Sequence, residues 1–437
     1  MVSSASSRYN TLVPLAAVQA VGTLCGVLGV RWLSAVVPPE TMGLYGLLLS
    51  TQQLGFTVTH QGFIKHIQRF WTPRAAVAPY LRLLLGASTP PLLWLAAWLT
   101  ALLVLLNLTA GTRIAPSWWG WMMAVNLLAV VLLAVQAALQ AEERYWANFA
   151  VSAVASATRS FFPPLLVTIL GGAVLTTLGV GFFLHVLVAA LFAGWCLRKA
   201  LARPEPVPAE PVNSPREMVR AFMSVGLCGW VAGAAPRWFA ALVLTPESTG
   251  YFILATNLAM FVPAAASLIG LSYSFPPLFA ASRGGADQRT LLRMTNKSVA
   301  SVMLMSQAGL LALAWCGPFL VGPIVNPRYA PAMGWMLAAG GSILATLSLP
   351  FYCNSLIAHN QEHTCFRLSV CSASFRIAVM AALAADGNSN DFRLGLVILP
   401  WPTVALEWWL TRYWLGSIPP TATSTEIEPG SDSADIA

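Results

Sequence analysis

Charge is what this chain has least of. Asp, Glu, Lys and Arg make up 9% of its 437 residues, against roughly 25% in a soluble domain, so a soluble globular fold is excluded. Acid is the scarcer sign, with 16 Asp and Glu against 24 Lys and Arg. Of those acids only Glu407 falls clearly inside an apolar run. The seven cysteines lie in or beside apolar runs and form no CxxC or Cys/His cluster, so neither a disulfide framework nor a metal site is supported. No GxxxxGK[ST] phosphate loop occurs, which removes an ATP-driven pump, and no cofactor is expected. Strand-like alternation is missing as well. Runs such as LLWLAAWLTALLVLL lack the in-out period of a transmembrane barrel.

What the chain has is apolar length. Hydrophobic residues are 57% of it and the mean hydropathy is +0.68, with blocks long enough to cross a bilayer recurring from end to end. In hydrocarbon a backbone must satisfy its own hydrogen bonds, so these blocks are read as helices. Twelve spans are predicted, at about 11–36, 43–64, 83–106, 117–140, 145–170, 173–196, 219–244, 250–273, 298–322, 331–357, 364–384 and 394–415. The expected fold is an all-α polytopic membrane protein of two six-helix bundles around a central cavity. The bundles cover 1–197 and 218–416. A proline-rich linker over 198–217 (RPEPVPAEPVNSP at its centre) joins them, and a polar acidic tail over 417–437 has a disordered composition. With both termini in the cytoplasm, 17 Lys and Arg fall on inner segments and three, Arg113, Arg328 and Arg393, on outer ones. That bias sets the expected orientation. It also assigns the net charge of +8 to membrane lipids rather than nucleic acid.

One phrase is written twice. RWLSAVVPPETMGLYG (31–46) and RWFAALVLTPESTGYF (237–252) each run from Arg-Trp through mostly apolar residues to Pro-Glu-x-x-Gly-aromatic. They end the first and seventh spans. A second pair, FAVSAVASATR (149–159) and FRLSVCSASFR (366–376), lies in spans five and eleven. An even number of spans per half makes these parallel repeats, related by an axis along the membrane normal.

The repeats place four arginines inside spans: Arg31, Arg159, Arg237 and Arg376. An arginine at the bilayer centre costs from about 2.5 to more than 10 kcal/mol, so it normally faces a partner or a wet cavity. Ser152 and Ser156 precede Arg159 by seven and three residues, and Ser369 and Ser372 precede Arg376 by seven and four. These spacings put serine and arginine on one helical face. Arg159 and Arg376 are read as lining a cationic lumen. Arg31 and Arg237, nearer their span ends, either join it or snorkel to the outer interface. Gln53, Thr57 and Gln61 make a polar stripe on the second span, either lining the lumen or joining helices. The PExxG itself reads as a helix start, proline and glutamate both suiting the first turn. Buried cations with almost no buried acid point to a negative cargo.

The twelve spans and the phrase Pro39-Glu40-x-x-Gly43-Leu44-Tyr45 resemble the O-antigen and exopolysaccharide flippases of the multidrug/oligosaccharidyl-lipid/polysaccharide (MOP) exporter superfamily. Met42 stands where their first loop carries an aromatic, and Gln61-Gly62-Phe63 where many have an Asp-x-Gly-Leu-like phrase. The resemblance implies a lipid-linked (polyprenyl pyrophosphate) oligosaccharide as substrate, moved by alternating access across a bacterial inner membrane. It also implies a glycan polymerase and a chain-length regulator as further partners. Two alternatives are a drug/cation antiporter of the same superfamily, which needs intramembrane acids, and a membrane glycan polymerase or glycosyltransferase. The latter needs large outer loops with catalytic carboxylates, whereas the longest outer loop here is about ten to twelve residues. Asp386 and Asp391 flank GNSN, which reads as a turn, and no enzyme is expected.

Overall fold

The computed structural model describes residues 3–70, 117–141, 144–200, 215–263, 287–358 and 361–416, with isolated positions among 96–104 and 266–281. Within them every predicted span is helical. The N-terminal half contributes α1 (Ser3–Val36), α2 (Pro39–Phe70), α3 (Ser117–Ala141), α4 (Tyr145–Leu170) and α5 (Val174–Ala200). The C-terminal half contributes α6 (Pro215–Val243), α7 (Pro246–Ala259), α8 (Gln288–Leu320), a 3-10 turn (Pro327–Trp335), α9 (Met336–Leu344) and α10 (Leu349–Ala358). It ends with α11 (Glu362–Ala385), α12 (Ser389–Ile398) and α13 (Pro400–Gly416). Most of the span predicted at 83–106, most of the end of that at 250–273, the centre of the linker and the acidic tail lie outside the described residues. Among the described residues seven helices are long and apolar enough to cross a membrane, or eight if α12 and α13 are one bent span. The fold is that of a multi-pass membrane protein.

Two predicted spans are broken, and proline explains both. The span predicted at 331–357 stops at Leu344 and restarts at Leu349. Pro350 has no N–H to give and its ring crowds the carbonyl four residues back. The chain tightens before it, with the N–H groups of Thr346 and Leu347 donating to the carbonyls of Ile343 and Leu344 at 2.9 and 3.0 Å. In the last span α12 and α13 meet at Pro400 with a bend of 41°. The GNSN turn is borne out: Gly387 has φ of 63°, and the Asn388 side chain caps α12 by accepting from Asn390 N–H at 3.0 Å.

Helix pairing follows the repeat. Helix α1 packs along α4 in the first half, and α6 packs along α11 in the second. Across the molecule α2 packs on both α6 and α7, and Leu54 of α2 is buried among Leu227, Trp230 and Trp238 of α6. A core of buried apolar residues runs through this contact, holding Val37, Met42 and Leu48 together with Phe252 and Ile253.

The doubled phrase lies on the seam. As expected, each PExxG starts a helix: Pro246 is in the first turn of α7, where the Thr245 side chain caps by accepting from Ser248 N–H at 3.2 Å. The two glycines allow the two starts to touch. A Cβ on Gly43 would come within 3.0 Å of the Pro246 carbonyl oxygen and 3.1 Å of the Gly250 nitrogen, and a Cβ on Gly250 would overlap the Pro39 carbonyl. The second half also caps the end of α1, whose last carbonyls have no partner within the helix. Arg328 donates to the carbonyls of Ser34 (3.0 Å from Nε, 2.7 Å from Nη2) and Val37 (2.7 Å). Tyr329 donates to the same Val37 carbonyl at 2.8 Å. Asn326 N–H donates to Ser34 Oγ at 3.2 Å.

Candidate functional site

The four repeated arginines do not share one environment. Arg31 is exposed at the seam and donates to the Gly322 carbonyl of the other half at 2.8 Å. It is a structural tie beside Arg328, close to the interfacial alternative allowed by its sequence position.

Arg376, from α11, departs from the expectation. It is 1% exposed and forms an ion pair of 2.7 Å with Glu407 of α13, itself 0% exposed. Ser348 and Ser372 each donate to Glu407 at 2.5 Å, and Arg376 Nη2 donates to Ser372 Oγ at 2.8 Å. The broken span supplies Ser348, which sits in the interruption between α9 and α10. So Arg376 does not line an open lumen as a bare cation. Its charge is cancelled inside the second bundle, because burying a lone guanidinium would cost far more than pairing it. Its Nε and Nη1 remain without a hydrogen-bond partner. Ser369, predicted to share the stripe, is fully buried and donates to the Cys365 carbonyl at 2.9 Å. Ser372 serves the ion pair.

Arg159, its repeat mate on α4, stands otherwise. At the offset that relates Arg159 to Arg376, the position matching Glu407 is Ala190, a buried residue of α5. No described residue forms an ion pair or hydrogen bond with Arg159. It is exposed, yet the groups in its electrostatic field belong to the interior: Tyr45 of α2, His185 of α5 and Arg237 of α6. Tyr45 and His185 are buried. His185 Nδ1 is held 2.8 Å from the Thr158 hydroxyl, beside Arg159 in sequence. Arg237 is half-buried, and its Nε is enclosed with no partner.

Arg159 and Arg237, cations from opposite halves, thus lie within electrostatic range of one another, and no described carboxylate pairs with either. By sequence position Arg237 and Tyr45 are each six residues from the seam ends of their helices, about 9 Å at 1.5 Å per residue. Both residues lie just beneath the PExxG contact. Like charges so placed repel, and an anion between them would relieve that repulsion.

The other predicted residues divide. Ser152 accepts from Gln136 at 3.0 Å, joining α3 to α4 rather than lining a space. Ser156 is half-buried against Gly22 of α1. Gln53 is exposed on α2 and engaged by a neighbour, while the side chains of Thr57 and Gln61 lie outside the described residues. Glu407 as a partner, Tyr45, His185 and the Arg328–Tyr329 clasp went unassigned in the sequence. Arg328 left one trace there, as one of three cations on the side where cations are rare. Among the described residues no group of His, Cys, Asp or Glu is placed to hold a metal.

No protein-family model and no curated protein matches the chain. The likeness to known proteins is one of fold. A multidrug resistance MATE family transporter of the MOP superfamily, in an inward-facing conformation, superposes with a TM-score of 0.61 at 12% identity, over 92% of this chain and 96% of that one. The lipid II flippase MurJ, in an inward closed conformation, gives 0.63 at 10% identity over 93% and 88%. A MOP superfamily transporter from Pyrococcus furiosus, described by a reversed polarity of its binding pocket, gives 0.55 at 11% identity over 93% and 95%. The chain has the fold of the MOP superfamily transporters.

Proposed function

We propose that this chain is a flippase that moves a lipid-linked oligosaccharide, carried on polyprenyl pyrophosphate, from the cytoplasmic to the outer leaflet for O-antigen or exopolysaccharide synthesis. The observation that carries the reading is the enclosed, unpartnered Nε of Arg237, within electrostatic range of Arg159 from the opposite half, with no described carboxylate paired to either cation. A diphosphate between them would accept from both guanidinium forks, the geometry in which arginine outperforms lysine. The sugar would occupy the space between the halves while the polyprenyl tail stays in lipid. The halves would then part at the PExxG seam and release the headgroup on the other side. The MurJ likeness supports a lipid-linked cargo, and the Pyrococcus furiosus transporter supports a change of pocket polarity within this fold.

The MATE likeness supports the rival, a drug or cation antiporter, on equal structural terms. Such an exporter needs a free intramembrane carboxylate. Among the described residues the fully buried carboxylate is Glu407, and it is occupied by Arg376 and two serines. That occupancy favours the anionic cargo.

The test is genetic and chemical together. In cells lacking the native gene, Arg159→Ala and Arg237→Ala should each abolish surface glycan at unchanged protein level. The lipid-linked intermediate should accumulate on the cytoplasmic leaflet. Full glycan export by both variants, or export of a cationic drug that Arg159→Ala leaves intact and Glu407→Gln destroys, overturns the flippase reading.

A further inference from the structure

Helix α8 is 33 residues long, about 50 Å at 1.5 Å per residue, and so exceeds the roughly 30 Å of a hydrocarbon core. Its rotation is fixed by packing: Leu291, Val299, Val302 and Leu310 are buried against the second bundle. The opposite face is exposed along the whole helix, and it changes character once. Leu304, Leu311, Trp315 and Phe319 occupy its later part, with Trp315 77% and Phe319 75% exposed. From Ala300 to Phe319 is about 29 Å, the depth of the hydrocarbon, and the two aromatics fall where an interfacial belt is expected.

The same face begins with three cations. Arg289, Arg293 and Lys297 recur every fourth residue, and all three are exposed. None makes an ion pair or hydrogen bond with a described residue. Asp287, in the field of Arg289, accepts from Thr290 N–H at 3.2 Å as the helix cap. If the apolar face fills the hydrocarbon, Lys297 lies about 5 Å beyond it and Arg293 about 10 Å. The headgroup layer is about 5–8 Å deep on each side. Long basic side chains reach back toward that level, which brings Arg293 to it, while Arg289, about 17 Å out, stands within about a Debye length of the headgroups.

We propose that Arg289, Arg293 and Lys297 form a binding stripe for anionic phospholipid headgroups of the leaflet in which α8 begins. The occupant follows from charge and continuity: the cations prolong a face that is itself covered by acyl chains, so their nearest counter-ions are the phosphates of those same lipids. The stripe would fix the height and rotation of α8 in the membrane. It is independent of the cargo.

The experiment uses the full-length chain reconstituted in phosphatidylcholine vesicles. Trace spin-labelled phosphatidylglycerol or spin-labelled phosphatidylcholine reports the lipid held at the protein surface. The wild type should hold phosphatidylglycerol in preference to phosphatidylcholine. That preference should weaken by up to about fivefold for each cation removed at low salt and vanish at high salt. The variant R289Q/R293Q/K297Q should lose it, whereas R367Q, which removes an exposed cation of α11, should keep it. The single variants R289Q and R293Q, each expected to lose part, keep the test decisive if the triple variant fails to fold. An unchanged preference in the folded triple variant, or an equal loss in R367Q, overturns the assignment. A stripe serving a soluble acidic partner would give the first of these results.

Discussion

Arg159 and Arg376 occupy the same place in two copies of one repeat, and a single carboxylate separates their fates. Glu407 neutralises Arg376 at 2.7 Å, whereas Ala190 at the matching position gives Arg159 no partner. Breaking a buried ion pair from one side leaves an uncompensated charge and costs about 3–5 kcal/mol. Glu407→Gln should therefore lower the melting temperature of the purified protein by an amount consistent with that loss. The double variant R376L/E407L, which removes both charges, should recover most of it. Arg376→Ala should fail through low protein level, whereas Arg159→Ala should leave the level intact, a contrast that immunoblotting of membranes reads directly.

At the scale of elements, the closest approach is between helix starts. Gly250 has no room for a Cβ beside the Pro39 carbonyl, and a main-chain obstacle cannot rotate away as a side chain can. Gly250→Ala should destabilise the closed seam by about 1–3 kcal/mol or more, the usual range for overpacking, seen as reduced thermal stability in detergent. The clasp beside it is polar. Arg328 makes three hydrogen bonds to the end of α1, and bonds to charged groups contribute about 1.5–3 kcal/mol each. Arg328→Ala should loosen the seam, so that a cysteine placed at the fully buried Val37 reacts faster with an impermeant maleimide than in the parent.

For the whole molecule, the seam joins the halves at one end, and Arg237, with its enclosed Nε, lies about 9 Å beneath it. A transporter that alternates access must open this end. Ser34 and Asn326 face one another across it, with the Asn326 N–H 3.2 Å from Ser34 Oγ. The pair S34C/N326C, oxidised to a disulfide, should stop glycan export, and reduction should restore it. Export that continues at the wild-type rate in the cross-linked protein would mean that the halves do not part there.

Much of this architecture is local chemistry and was legible in the sequence. Apolar length dictates helices, proline and glutamate mark their starts, and the doubled Arg-Trp…PExxG phrase announces two equivalent bundles. The asparagine and glycine of the GNSN turn likewise act over a few residues. What the sequence left open were relations between distant residues. Glu407 is 31 positions from its partner, and Arg328 is nearly three hundred from the carbonyls it caps. Four arginines at repeated positions looked alike because residue type fixes charge and spacing fixes a helix face, but neither fixes a neighbour. Only the packed bundles decide which guanidinium is neutralised, which ties the seam and which two have no carboxylate partner among the described residues. The energy of a buried charge depends on what lies within a few ångströms of it, and that distance exists only in the folded chain.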